Sequence, residues 1–246
     1  MDEGQIDVAS RNAVTIITIN RPAKRNAMSA AMCEQLRQAL ESFRDGEDRV
    51  AILRAEGDVF TAGADLASPP SQFWRAMPDV GLDLGKPIIA AVHGPVIGLG
   101  VGIVAYCDLC IATHEARFIY PEARVGVAMG LITSLVARIP HKIALELMLL
   151  GEPIAAQRAY EVGFVNRVVA TQDLMSEALA MADILARSAP LVLKFLKQMA
   201  RETQPKSPIE AMYMAHLKAE GVSSSADAAE GLLAFREKRK PQFKGH

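Results

Sequence analysis

Two glycine-punctuated segments carry the residues of this chain best suited to chemistry. Lys86–Asp108 reads KPIIAAVHGPVIGLGVGIVAYCD, a continuous apolar run that gives way to Gly94, Gly98, Gly100 and Gly102. Phe60–Leu66 reads FTAGADL and follows a second apolar stretch at Val50–Arg54. Glycine lets backbone approach a ligand closely or adopt positive φ. A helix entered through such a turn directs N–H groups at whatever lies in front of it. Two turns of this kind can form an oxyanion hole that stabilises an enolate. Either turn alone is better explained by tight packing; it is the pair that suggests a site.

Other chemistry-bearing groups are fewer. Cys107-x-x-Cys110 has zinc or redox spacing, but no second Cys/His pair is suitably placed and Cys107 ends an apolar helix, so buried cysteines are expected. The chain has no Walker loop, dinucleotide fingerprint or metal motif, and Gly98-Leu99-Gly100 is too short for a fingerprint. Arg21, Lys24 and Arg25 form one basic cluster, and the C-terminal FREKRKPQFKGH forms another. Each is open to two readings, an anion contact or a solvated face.

The elements that must position these groups are legible in outline. Val14–Asn20 reads as the first strand. Ser29 caps a helix running to about Arg44, with Met32, Leu36, Leu40 and Phe43 on one face. A strand at Val50–Arg54 leads into FTAGADL, and the irregular stretch Ala67–Gly85 reads as a loop or short helix. A buried strand at Ile88–His93 leads to a helix at Gly98–Cys107, followed by strands at Leu109–Thr113 and Phe118–Tyr120. From Leu131 the pattern is mainly helical, with one extended stretch at Phe164–Ala170. Alternating elements followed by helices indicate an α/β core with a helical C-terminal region. The division expected is a core at 1–190 and a helical region at 191–246.

Composition bounds the rest. The chain has 246 residues, half of them hydrophobic, which is enough for one large domain or a domain with a small appendage. A net charge of −1 argues against a nucleic-acid surface. Three cysteines fit a reducing compartment. Met1–Ser10 is polar and acidic, unlike a signal peptide, and the apolar runs are broken before membrane-spanning length. A soluble cytoplasmic protein with no membrane partner is expected.

Six motifs then stand in a definite order: NRPAKRNA at Asn20–Ala27, FTAGADL, KPIIAAVHGPVIGLG, YPEARVG at Tyr120–Gly126, GFVNRV at Gly163–Val168 and FREKRK at Phe235–Lys240. Together they resemble the crotonase, or enoyl-CoA hydratase/isomerase, family over nearly the whole chain. The resemblance implies a crotonase-like spiral of ββα units and an acyl-CoA thioester substrate. It implies an oxyanion hole from the backbone N–H groups of Ala64 and Leu99, with Glu122 as acid/base. For Glu122 the alternative is a surface carboxylate paired with Arg117 or Arg124. Arg21, Lys24, Arg25, Ala62 and Asp65, with Lys240, Phe243 and Lys244 of the tail, are the implied CoA contacts. Asp65 is also expected to cap a helix start, His93 to orient its turn, and Asp108 to end its helix against a backbone or basic partner.

The resemblance further implies no cofactor beyond the CoA of the substrate, no metal, and a homo-oligomer that is a trimer or a dimer of trimers. The apolar stripe Ile184, Leu185, Leu191, Leu193, Leu196 and Met199 would serve that assembly and the 191–246 region would help cover CoA. Three departures bear on mechanism. Leu99 replaces a common glycine, which keeps the N–H. Gly102 stands where two-carboxylate hydratases of the family carry a glutamate, and Gly130 where some of its isomerases do. Glu122 is left as the single expected proton carrier, which suits double-bond migration better than hydration. Hydratase and isomerase both remain open. So do a non-catalytic acyl-CoA-binding or interaction protein on the same fold and, with little support from the charge, an RNA-binding one.

Overall fold

The computed structural model describes residues 4–126, 135–203, 219, 222 and 224–245. Two compact units divide the chain, Met1–Pro205 and Lys206–His246. The boundary expected after residue 190 falls at the start of the helix Pro190–Thr203, within the first unit.

The first unit is built on a six-stranded sheet in the order β1-β2-β3-β4-β6-β9. Its strands are β1 (Gln5–Arg11), β2 (Val14–Asn20), β3 (Val50–Ala55), β4 (Ile88–Val92), β6 (Leu109–Thr113) and β9 (Arg167–Val169). β1 and β2 pair antiparallel and the other neighbours pair parallel. The sequence pattern places the first strand at Val14, and the structure adds β1 ahead of it. That strand lies at the sheet edge with most residues exposed, so the apolar alternation that marks a half-buried strand is absent. Asn12 and Ala13 join it to β2, both at positive φ, 52° and 61°, a turn whose twist matches paired strands.

Both faces of the parallel strands are covered. Val50 and Ile52 of β3, Ile89 and Ala91 of β4 and Ile111 of β6 pack on Leu174, Ala178, Met181 and Ala182 of helix α6 (Leu174–Arg187). Their alternate residues Ala51, Leu53, Ile88 and Ala90 are buried on the other side. Burial on both faces is why β4 reads as an unbroken apolar run. Helix α1 (Ala30–Asp45) starts where expected, Ser29 Oγ accepting from the Met32 N–H at 3.3 Å. Met32, Leu36, Leu40 and Phe43 are its buried stripe.

A second sheet of three short strands, β5-β7-β8, carries the candidate site. β5 is Pro95–Ile97, β7 is Arg117–Ile119 and β8 is Ile154–Ala155. β5 lies in a stretch read from the sequence as part of a turn, because a three-residue strand is defined by its partners and not by its own pattern. Helix α2 (Leu99–Tyr106) follows β5, and α3 (Glu122–Val125) follows β7. The Ala67–Gly85 stretch holds one 3-10 turn, Phe73–Ala76, with Phe73, Trp74, Ala76, Met77, Val80, Leu82 and Leu84 buried. Helices α4 (His141–Leu145), α5 (Ala156–Glu161) and α7 (Pro190–Thr203) also belong to this unit, α4 running on into a π-helical turn at Glu146–Leu150.

In the second unit, the helix Ala226–Arg236 is capped by Ser225, whose Oγ accepts from the Ala228 N–H at 3.1 Å. The tail folds back on this helix. Asp227 accepts the Lys244 and Gly245 N–H groups at 2.6 and 2.8 Å, and Glu230 accepts both Arg239 Nη1 and Nη2 at 2.6 and 2.9 Å. The Phe243 ring lies against Gly231, 3.5 Å from where a side chain there would begin.

Candidate active site

Three turns meet beside the small sheet. β5 and β7 run parallel with Ile97 opposite Ile119, and the Gly98 N–H closes the pair on the Ile119 carbonyl at 2.9 Å. Immediately past this closure one chain enters α2 at Leu99 and the other enters α3 at Glu122. Leu99 and Glu122 therefore leave the same ends of neighbouring strands. The FTAGAD segment runs along the other edge of β5: the Phe60 N–H donates to Pro95 O at 3.1 Å and the Ile97 N–H to Thr61 O at 2.9 Å.

Glycine is required where these turns touch. Gly63 has φ +92°, and a Cβ there would lie 3.0 Å from Ile97 O and 3.7 Å from the Leu99 nitrogen. A Cβ on Gly100 would lie 2.2 Å from Thr61 Cγ2. Only backbone fits at the junction, so the two N–H-bearing turns come into direct contact.

The direction of the Ala64 N–H follows from its neighbours. Residues 61–65 lie between Arg25–Met28 on one side and β5 on the other. Met28 donates to Gly63 O at 2.8 Å and accepts from the Asp65 N–H at 2.9 Å. In a parallel pairing of this kind, the residue between those two bonded groups turns its own N–H to the opposite side. For Ala64 that is the side of β5, the strand that leads on to Leu99. Among the described residues neither the Ala64 nor the Leu99 N–H donates to any group. Two unspent donors on turns that touch at Gly63 have the chemistry to bind an oxygen that acquires negative charge.

Glu122 is half-buried at the head of α3. Its carboxyl is a neighbour of the Tyr120 hydroxyl, which is pushed up by burial first and then by the hydrogen bond to Glu122 and its charge. Arg117 donates to the carbonyls of His114 and Ala116, both at 2.8 Å, and Arg124 faces Glu152 at 3.7 Å. Gly102 lies on α2, where a Cβ would meet the Met77 thioether, 3.0 Å from Cε and 3.4 Å from Sδ. Gly130 lies outside the described residues.

The NRPAKRNA segment forms the support under the FTAGAD turn. Asn26 is fully buried, its Nδ2 donates to Glu56 O and Val59 O at 2.7 Å each, and its Oδ1 accepts the Arg21 N–H at 2.7 Å. Arg21 is buried and its Nη1 reaches Asp65 at 2.7 Å and Ala27 O at 3.0 Å. That guanidinium, and then the Ala67 N–H, holds the Asp65 carboxyl below the usual carboxylate range. No helix begins at Asp65; it stands in a turn. The capping expectation is corrected because the ligands of its carboxylate are an arginine 44 positions upstream and one local N–H. Ala62 is half-buried, its N–H held by Arg25 O at 2.8 Å, while Lys24 and Arg25 are exposed. Lys240, Phe243 and Lys244 are exposed within the second unit.

His93 Nε2 meets Gly57 O at 2.7 Å, and burial lowers its pKa, which favours the neutral ring and a positioning role. Asp108 meets both a backbone and a basic partner, as expected: the Ile88 N–H at 2.8 Å and Lys197 Nζ at 2.5 Å. Cys107 and Cys110 are free thiols, pushed up by burial. Met28, whose backbone turns the Ala64 N–H, and Met77, which fills the space beside Gly102, were not singled out from the sequence. Neither lies in a chemical motif; only the three-dimensional neighbour gives each its role.

The sequence profile described as "Enoyl-CoA hydratase/isomerase" matches residues 9–246. The chain belongs to the enoyl-CoA hydratase/isomerase family. Among individual relatives of this family member, the "Carnitinyl-CoA dehydratase" of Proteus mirabilis is 36% identical over 260 residues, covering 98% of each chain. The "2,3-dehydroadipyl-CoA hydratase" of Escherichia coli is 32% identical over 256 residues, covering 98% of this chain and 99% of the other. The crystal structure of carnitinyl-CoA hydratase from Mycobacterium avium superposes with a TM-score of 0.76 at 33% identity, covering 98% of both chains. The α/β fold expected from the motifs is thus the fold of solved members of the enoyl-CoA hydratase/isomerase family.

Proposed function

We propose that this chain catalyses a hydratase-type reaction on an acyl-CoA thioester. The Ala64 and Leu99 N–H groups hold the thioester oxygen and Glu122 moves the proton. The observation that carries the reading is the pair of unspent donors brought together at Gly63, 3.7 Å from Leu99 N to the position a Gly63 side chain would take. The names of the relatives, a dehydratase and a hydratase of CoA thioesters, support the same class. Adding water across a 2-enoyl thioester, or expelling it, places negative charge on the carbonyl oxygen. In the hydration direction, Glu122 takes a proton from water as the water oxygen bonds C3 and then returns that proton to C2, so the C2–C3 double bond is consumed and the carboxylate is regenerated. Each of the two donors lowers the barrier by about 3–4 kcal/mol, the cost of deleting one such donor.

A second reading, double-bond isomerisation, is favoured by position 102. With Gly102 beside the Met77 thioether, position 102 itself supplies no carboxylate to share the work. One carboxylate suffices to carry a proton between C2 and C4 of an enoyl-CoA. Lys24 and Arg25, exposed beside Ala62, are assigned to the CoA phosphates, and Arg21 and Asp65 to holding the turn that carries Ala62 and Ala64. Lys240, Phe243 and Lys244 are assigned to CoA by the resemblance alone. Proton transfer within the substrate asks for no further cofactor.

The functional unit is proposed to be a trimer or a dimer of trimers. In support, α7 has no buried residue, and Leu191 and Phe195 on it are 80% and 57% exposed. Sedimentation showing a stable monomer at micromolar concentration would exclude that assembly. The activity itself is tested by product analysis on 2-enoyl-, 3-enoyl- and 3-hydroxyacyl-CoA esters. Interconversion of the first and third identifies hydration, and conversion of the second to the first identifies isomerisation. Tight binding with no turnover of any ester would leave the acyl-CoA-binding alternative in its place.

A further inference from the structure

We propose that Met77 is a specificity-determining wall of the acyl site, and that it restricts the acyl group to short chains. The inference rests on the reading of Ala64 and Leu99 as the thioester-holding pair. Leu99 and Gly102 are three residues apart on α2 and so share one face, about 4.5 Å apart along the axis. The space beside Gly102 is occupied by Met77, with Cε 3.0 Å and Sδ 3.4 Å from where a side chain at 102 would begin. Met77 is 1% exposed, so its side chain fills the space beside Gly102. A chain extending from the thioester along this face of α2 meets an apolar thioether after about one helical turn.

The segment that carries Met77 is anchored on both sides. Its N–H closes the 3-10 turn on Trp74 O at 3.1 Å, and Phe73 and Trp74 are buried beneath it. Two residues further on, Asp79 adopts φ +59° and accepts the Leu84 N–H at 2.9 Å. Its carboxylate meets Lys197 Nζ at 2.8 Å and Arg201 Nη1 at 3.1 Å. Lys197 also reaches Asp108, just past the end of α2, at 2.5 Å, and Lys86 O at 2.9 Å. The Asp79 and Lys197 side chains are 7% and 9% exposed. A pair removed from water to this extent resists separation, because either charge left alone is strongly disfavoured. Helix α7 therefore ties the Met77 segment to the end of the helix against which Met77 packs. The unbranched thioether itself remains adaptable, so the wall is soft at its tip and fixed at its base.

The test is the binding of saturated thioesters, which does not depend on turnover. Titration calorimetry would compare butyryl-CoA with decanoyl-CoA on the full-length wild type, Met77→Ala and Met77→Leu. In the wild type the shorter ester is expected to bind more tightly. Met77→Ala is expected to shift the decanoyl-to-butyryl affinity ratio toward decanoyl by roughly tenfold, the effect of burying about two further methylene groups. Met77→Leu keeps the volume and is expected to leave the ratio within a few-fold. Should Met77→Ala not fold, Met77→Val gives the same direction with a smaller shift. A truncated variant with an unchanged ratio would overturn the wall, even where the wild type turns over enoyl-CoA. The expected shift in a protein without turnover would support the wall and remove the proposed reaction. A wild type that binds neither ester would overturn both.

Discussion

Replacing Gly63 by alanine tests whether two backbone donors do the work assigned to them. The new Cβ would lie 3.0 Å from Ile97 O at a φ of +92°. The left-handed conformation costs an L-residue about 1–2 kcal/mol. The crowded carbonyl must also give by a few tenths of an ångström, since ordinary contact begins at 3.4 Å. Together these predict a loss of about 2–3 kcal/mol, or roughly 5–10 °C in Tm. The chain that must shift is β5, and Leu99 lies two residues beyond Ile97. Loss of one oxyanion donor costs roughly 100- to 1,000-fold in kcat, and a misplacement of about 1 Å roughly 100-fold. A partial shift predicts a kcat reduction of about 10- to 100-fold, with a smaller change in KM. Turnover of an enoyl-CoA ester would be measured beside thermal unfolding followed by circular dichroism. Ala64→Gly and Leu99→Gly keep their N–H groups and are expected to stay within a few-fold of wild type. A folded Gly63→Ala protein with wild-type kcat would refute the assignment of the paired turns.

Three further outcomes are expected. Glu122→Gln should leave the unfolding midpoint and CoA-ester binding nearly unchanged and lower turnover by roughly 100-fold or more; near-normal turnover would remove Glu122 from the mechanism. Gly102→Glu should raise hydration of a 2-enoyl-CoA more when combined with Met77→Ala than alone, because Met77 Cε lies 3.0 Å from the new side chain's origin; equal rates in the single and double variants, read by product mass, would show that Met77 does not obstruct position 102. The Asp65 carboxyl is held below its unfolded pKa of about 3.9 by Arg21 first and then by the Ala67 N–H. Its contribution is therefore present above that value and lost as pH falls through the folded pKa. Asp65→Asn should be less stable than wild type at neutral pH and lose less stability between neutral and acid pH; parallel pH–stability curves would contradict the role given to the Arg21–Asp65 pair.

Where a local interaction sets the structure, the sequence was enough. Ser29 satisfies the first turn of α1 from one residue away, and IIAAV in β4 must be covered on both faces whatever its neighbours are. The motif order singled out Glu122 and both glycine turns as candidates, since each needs residue types that can be read one at a time. What depends on partners distant in the chain was not legible. β1 is an exposed polar strand made by its pairing with β2, and β5 has three residues and no pattern of its own. Asp65 looks like a helix cap until Arg21 arrives across the fold. The Ala64 N–H is turned away from Met28 because Met28 takes the groups on either side of it, and Gly63 must be glycine because Ile97 O stands where its side chain would be. Met77 and Gly102 lie 25 positions apart with no shared motif, and their contact exists only because the segment between β3 and β4 folds over α2. Residue types and capping act over one or two turns of chain. The direction of a donor and the filling of a space are set by whichever distant segment the packing brings alongside.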